Sequence, residues 1–274
     1  MEEYLSTISY ISPDGVNVIN FNDGDGFFIE EGGAAGLSGD TEDIAIELPR
    51  GGQHFVGFDV KPMHCEFKVV AFGDDYEEQA QERMVYLTSL FSRRKEGTLI
   101  LDNHDGEVFT LPIRLEKQIE VPDQETTFDD TIQRTLPIVC DRGYWTHTVH
   151  PLERKSGSQY TYEINNNGDL PTNALIHWNH TIGTLPPKIN IDESGDIQLP
   201  SPAGEEEGRY TLDLDPRASM AVLNEDGNLD LDMWKQLRGR FLSTEVLPGE
   251  TQVISSNKPL DITYDLKVLN PWRW

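Results

Sequence analysis

Short runs of β-branched and aromatic residues recur along the chain between clusters of Gly, Asp, Asn and Pro, a texture that predicts strands joined by turns. Thr98-Leu99-Ile100-Leu101 and Glu107-Val108-Phe109-Thr110-Leu111 flank Asn103-His104-Asp105-Gly106. The Asp-Gly step accepts the positive φ that a tight hairpin needs, so a hairpin is predicted over about 98–115. Just before it, Ala80, Met84, Leu87 and Phe91 recur at spacings of 4, 3 and 4, which places them along one side of a helix predicted over about 76–94. Asp74 or Asp75 can cap that helix and Glu77 and Glu78 suit its positive end. Arg93, Arg94 and Lys95 suit its negative end, and Gly97 can stop it.

Beyond Cys140 the texture changes. Gln159-Tyr160-Thr161-Tyr162-Glu163-Ile164, Ala174-Leu175-Ile176-His177-Trp178 and Lys188-Ile189-Asn190-Ile191 read as strands, as do Arg209-Tyr210-Thr211-Leu212-Asp213-Leu214 and Asp261-Ile262-Thr263-Tyr264-Asp265-Leu266. Their spacing suits a β-sandwich, with one short helical turn near Met233 to Leu237. The predicted fold is mainly β, in two domains, residues 1–145 and 146–274. Gly32-Gly33-Ala34-Ala35-Gly36 and Glu205-Glu206-Glu207 are expected to be exposed loops.

The length of 274 residues fits two domains at about 150 residues each, or one large sandwich. A formal net charge of −26 argues against a groove that grips phosphates, and the sole local exception is Arg93, Arg94 and Lys95. The charge is uneven. Residues 1–142 carry 29 acids and 11 bases, net −18, whereas residues 143–274 carry 19 and 11, net −8. The two cysteines, Cys65 and Cys140, have no C-x-x-C partner and read as buried thiols. The start of the sequence lacks a secretory h-region, and no window of 18 apolar residues occurs, so a cytoplasmic origin without membrane insertion is expected.

The search for chemistry returns little. Asn22-Asp23-Gly24-Asp25-Gly26 and Asn224-Glu225-Asp226-Gly227-Asn228 fail the calcium-loop frame and read as turns. His147/His150 and His177/His180 share a spacing that in a strand points the two rings to opposite faces, so a packing or solvated role is expected. No nucleophile elbow or phosphate loop is present. Two carboxylates at glycosidase separation are available in any acidic sandwich, which makes that signal nearly worthless. Tyr160, Tyr162, Trp178, Trp234, Trp272 and Trp274 could form a sugar-stacking face, or could be core and rim packing.

Several short motifs occur in an order that resembles the distal tail protein (Dit) family of long-tailed, non-contractile bacteriophages. They begin with Tyr10-Ile11-Ser12-Pro13-Asp14-Gly15, followed by the helix around Ala80 to Phe91 and its hairpin, similar to the family's belt. Asp141, Tyr144 and Trp145 follow, with Arg142-Gly143 where the family shows proline. Next come Asn165-Asn166, Gly168-Asp169-Leu170-Pro171-Thr172, then Leu247-Pro248-Gly249-Glu250-Thr251, and finally Asn270-Pro271-Trp272-Arg273-Trp274.

The resemblance implies a ring-forming N-terminal β domain with a belt, and a C-terminal galectin-like sandwich. The implied role is a structural hub at the distal end of a tail tube, assembled in the host cytoplasm and located at the virion tail tip. Its implied partners are other copies of itself in a ring, hexameric by analogy, the tail tube protein, a tail-associated tip or lysin protein, and receptor-binding proteins. DNA would only pass through the lumen, which the acidic first half is expected to line. No catalytic, metal or cofactor-binding residue is implied, and no stretch of about 100 residues is left over for an added carbohydrate-binding domain. The expected oligomer interface comprises Ala80, Met84, Leu87, Phe91, Arg93, Arg94, Leu99 and Leu101; alternatively the apolar members are intrachain core and strand edges form the ring. If the terminal aromatics Trp272 and Trp274 pack on the sandwich, deleting the last five residues lowers stability; if not, the tail is a free contact arm. A glycan- or receptor-binding module is the second reading and a glycoside hydrolase the third.

Overall fold

A computed structural model describes residues 7–22, 26–47, 53–73, 77–103, 106–119, 127–128, 131–192, 196–202, 207–214, 221–237 and 245–273. The fold is mainly β, and the chain forms two compact units, Met1–His147 with Val268–Trp274, and Thr148–Lys267. The expected caps Asp74 and Asp75, the loop residues His104 and Asp105, residues 23–25 and 205–206, and Trp274 lie outside the described residues.

The first unit contains β1 (Thr7–Ile11), β2 (Val18–Phe21), β3 (Phe27–Ile29), β4 (Asp40–Glu47), β5 (Gln53–Lys61) and β6 (Met63–Phe72). The helix α1 (Glu77–Leu90) precedes β7 (Gly97–Asp102), β8 (Val108–Leu115), β9 (Thr127–Phe128), β10 (Thr131–Cys140) and the start of β11 (Trp145–Val149). All pairings are antiparallel: β2-β1-β7-β8-β11 form one run, and β8 also meets β10, which lies beside β6 and then β3. Strict alternation along β6 buries Met63, Cys65, Phe67, Val69 and Ala71, as a strand with one face on a core requires. The predicted hairpin is β7–β8. Its loop is closed by Asn103, whose side-chain oxygen accepts the Glu107 N–H at 2.9 Å, and by Gly106 at φ +79°.

The helix ends at Leu90, four residues earlier than expected. Phe91 turns inward to stack on Tyr10, with ring centroids 4.0 Å apart and planes within 3°. The Ser92 carbonyl then accepts the Leu115 N–H at 2.8 Å, and the Ser92 hydroxyl accepts the Arg94 and Lys95 N–H groups at 3.2 Å each. The basic triplet therefore lies outside the last helical turn, and its expected role in complementing the helix end is corrected. Gly97 is likewise no helix stop. It opens β7, where a Cβ would strike the Tyr10 ring.

The second unit continues from β11 into β12 (Glu153–Ser156), β13 (Gln159–Asn165), β14 (Ala174–His180), β15 (Lys188–Ile191), β16 (Ile197–Gln198), β17 (Gly208–Asp213) and β18 (Val222–Leu223). After these come α2 (Leu231–Leu237), β19 (Thr251–Ser256) and β20 (Asp261–Val268). One sheet runs β18-β17-β14-β20 and the other β12-β13-β19-β15-β16. Both contribute to one core, including Ile164, Ile176, Trp178, Ile189, Leu212, Ile254 and Tyr264, which makes this unit a β-sandwich. The helix α2 is capped by Asp230, whose carboxylate accepts the Asp232 and Met233 N–H groups at 3.1 and 3.0 Å.

Two expectations are corrected here. The last residues do not end in the sandwich: Val268 is buried in the first unit's core, the Leu269 carbonyl accepts the Gly39 N–H at 2.7 Å, and Trp272 meets Trp145 edge to face at 5.8 Å. The glycine-rich stretch at 32–36 is no free loop either. Gly33 and Gly36 lie so close to β6 that a Cβ would sit 2.8 Å from the Lys68 carbonyl oxygen and 2.6 Å from that of His64.

Candidate assembly surfaces

The motifs that ordered the sequence occupy buried corners. Tyr10 is buried, donates its hydroxyl to the Leu90 carbonyl at 3.2 Å and has its pKa raised by that burial. Trp145 is fully buried and donates its indole N–H to the Leu37 carbonyl at 2.8 Å. Asp141 accepts two bonds from the Arg114 guanidinium, at 2.6 and 2.8 Å, and this fork holds its carboxyl below the ordinary value. Between them Gly143 takes φ +73° and lies against the Lys61 carbonyl. Glycine serves that corner because the left-handed conformation and the close approach both exclude a Cβ.

In the second unit Asn166 is fully buried. Its amide donates to the Leu170 and Val246 carbonyls at 2.9 and 2.7 Å, and its oxygen accepts the Gly168 N–H at 3.0 Å. Its backbone carbonyl accepts from Gly249 at 2.8 Å. The Asn-x-Gly segment and the Pro-Gly turn are thus two sides of one hydrogen-bonded corner.

Of the residues expected at an interface, Ala80, Met84, Leu87, Phe91, Leu99 and Leu101 are buried in the first unit's own core, whereas Arg93 and Arg94 are exposed. The helix spacing was read correctly as a buried side, but that side packs toward β6 and β10. An intrachain core cannot also be the outer face of a ring, so the apolar part of the expected interface is corrected.

The surface that local reading missed is the β4–β5 hairpin, whose two strands pair with each other and, among the described residues, with no third strand. It leaves Ile44 and Phe58 47% and 41% exposed. A bulge between Ile44 and Ala45 breaks the alternation that would have announced the strands.

The His177/His180 pair behaves as packing groups, whereas His150 is exposed. His177 sits between the Thr211 and Thr263 hydroxyls at 2.8 and 3.2 Å, while His180 is buried on the opposite face of β14. Burial, then the nearby Arg209 charge, lowers the His177 pKa. Among the described residues no group of three or more His, Cys, Asp or Glu could hold a metal ion, and no helix is long and apolar enough to cross a membrane. Asn224 caps its own turn, accepting the Asp226 and Asn228 N–H groups at 3.2 and 2.8 Å. Of the aromatic residues weighed for sugar stacking, Tyr162 and Trp178 are buried in the sandwich, Tyr160 and Trp234 pack against that core, and Trp272 belongs to the first unit.

These features define a mainly β chain of two antiparallel units, the first carrying one helix followed by a hairpin and the second a sandwich. The same fold is found in the crystal structure of SPP1 Dit (gp 19.1), a paradigm of the hub adsorption apparatus in phages that infect Gram-positive bacteria. The likeness has a TM-score of 0.60 over 96% of this chain and 99% of that one, at 15% sequence identity. No protein-family model matches the sequence, and no curated protein matches it.

Proposed function

We propose that this chain is a structural hub subunit of a phage tail tip, which assembles into a closed ring at the distal end of the tail tube and seats the adsorption apparatus. The observation that carries the reading is the extent of the likeness to SPP1 Dit, which runs through both units and nearly the full length of both chains. A likeness confined to the sandwich would support only a generic binding module. In this reading the chain performs no catalysis, and its partners are further copies of itself, the tube protein, a tip or lysin protein and receptor-binding proteins. It is assembled in the host cytoplasm and the galectin-like sandwich provides the platform.

The acidity suits this role. A channel that passes DNA must not hold it, and a wall with more Asp and Glu than Lys and Arg avoids the phosphate neutralisation and counter-ion release that drive sticking. The first half, at net −18, is assigned to that wall.

Light scattering on the purified chain, followed by electron microscopy of the particle, tests the proposal. A hexamer has a mass of about 186 kDa (6 × 31.0 kDa), and each interface of an obligate ring should bury more than about 1,000 Å². A chain that is monomeric both in solution and in purified virions overturns the reading. A ring with a basic inner wall overturns the channel assignment and leaves the hub standing.

A further inference from the structure

The β4–β5 hairpin has two properties that a finished surface lacks. A two-stranded sheet is marginal alone in water, yet among the described residues its strands pair with no third strand, and Ile44 and Phe58 stand exposed. Glu42 also lies directly opposite Asp59 in the register, and like charges so placed repel. Lys61 relieves part of this, at 3.8 Å from Asp40 and 3.6 Å from Glu42. Asp59 has only the N–H of Val60, at 3.0 Å, and among the described residues no cation lies within ion-pair distance of it.

The complementary feature is the loop after α1. Arg93-Arg94-Lys95 is the only place where three basic residues stand together in a chain of net charge −26. The loop is exposed and pinned through its backbone by Ser92. It lies beyond the last helical turn, so the helix end does not account for it, and among the described residues none of its three side chains joins an ion pair. One chain therefore presents a hairpin face on which Asp40, Glu42 and Asp59 outnumber the single Lys61, and a basic loop whose side chains join no ion pair among the described residues. A cyclic ring needs such a pair of unlike patches, because a head-to-tail contact joins one surface to a different one. Guanidinium forks match carboxylates well.

We propose that the Glu42/Asp59 face of the β4–β5 hairpin in one copy seats the Arg93-Arg94-Lys95 loop of the next copy, with Ile44 covered by that contact. This rests on the ring reading above. The test uses the purified full-length chain and three variants: Glu42→Lys with Asp59→Lys, Arg93→Glu with Arg94→Glu, and all four changes together. Circular dichroism melts check folding, and light scattering over a dilution series reads mass. Each double variant should raise the concentration at half-assembly by about tenfold or more, since like charges across an interface are strongly unfavourable. The fourfold variant, with the charges exchanged, should reassemble.

Where a charge reversal fails to fold, the neutral pairs Glu42→Gln with Asp59→Asn and Arg93→Gln with Arg94→Gln replace it, and each should weaken assembly and remove the part of its salt dependence that comes from the joint, leaving that of the overall repulsion. A wild-type oligomer whose mass survives in both folded double variants overturns the pairing and leaves the ring reading intact. Dissociation of both doubles without rescue in the fourfold variant also overturns it, and points to a different protein as the partner of each patch. A monomeric wild-type chain overturns the ring reading and the pairing together.

Discussion

Replacing Asn166 by Ala should destabilise the sandwich without disturbing the first unit. The side chain is wholly buried, and its removal takes away three hydrogen bonds at once. The losses are unequal. The Val246 carbonyl keeps a second donor, the Thr172 N–H at 3.0 Å, whereas the Leu170 carbonyl and the Gly168 N–H lose the amide they face. With about 1–3 kcal/mol for each buried group left unsatisfied, and with incomplete additivity, the cost is about 2–4 kcal/mol. For a unit of this size that corresponds to a fall in Tm of roughly 6–20 °C in the sandwich transition, read by calorimetry.

Asn166→Asp sharpens the test. It keeps the shape but turns a carboxylate toward two carbonyl oxygens, which disfavours the charged form and raises the folded-state pKa. Such a group contributes stability that is present below its unfolded value of about 3.9 and is lost as pH rises through the raised folded value. Asn166→Asp should therefore melt at a lower temperature at neutral pH than at mildly acidic pH, relative to wild type, while Asn166→Ala shows no such slope. A fall of less than about 3 °C for the alanine variant, against the range expected from buried unsatisfied groups, refutes the account.

His177 provides a second pH signature. Its pKa is lowered in the folded protein, so its contribution is present above the unfolded value of about 6.5 and is lost as pH falls from there through the folded value; thermal melts of His177→Gln should lose that slope. Deleting residues 270–274 should cost at least about 0.5–1.5 kcal/mol, the worth of the edge-to-face contact between Trp272 and Trp145 beyond the apolar area it buries. Trp272 is 41% exposed, so the larger loss of a fully buried Trp is not expected, and the fall should be confined to the first unit's transition. A fall in the sandwich transition instead would contradict the placement of the tail.

The parts of the fold that were legible in the sequence are those governed by local period. The helix face of Ala80, Met84 and Leu87, the β7–β8 hairpin and the sandwich strands follow from spacings of 3.6 and 2. What escaped depends on long-range pairing or on a break in period. The return of Val268 to the first core is invisible in a strand whose alternation simply continues from β20's start to its end. The bulge at Ile44/Ala45 hid β4. The helix side was legible as buried but not as to what buries it, since periodicity marks a face and says nothing of whether the neighbour is the same chain or another copy. The same spacing serves a core and an interface.

The residues that made the chain recognisable are therefore poor guides to what it assembles with. Tyr10, Gly143, Trp145 and Asn166 are each held inside a corner, by a stacked ring, a backbone approach, an indole bond and a triply bonded amide. Corners of this kind admit few solutions, because a buried polar group must be satisfied and a left-handed turn excludes most side chains. A shared fold can accordingly persist at 15% identity while nothing in those positions reaches the surface. In the proposed ring, assembly would be carried by residues free of such constraints, and charge is the property that makes them conspicuous: a Glu42/Asp59 pair facing each other across the β4–β5 register and one basic loop in a strongly acidic chain. In the proposed ring of −26 subunits the long-range repulsion between neighbours would oppose closure, so a local pairing of opposite charge at each joint would have a value that it would lack in a neutral protein. Raising the salt concentration weakens the opposing repulsion and the joint alike. The charge-exchanged variant, which leaves net charge unchanged, separates the two.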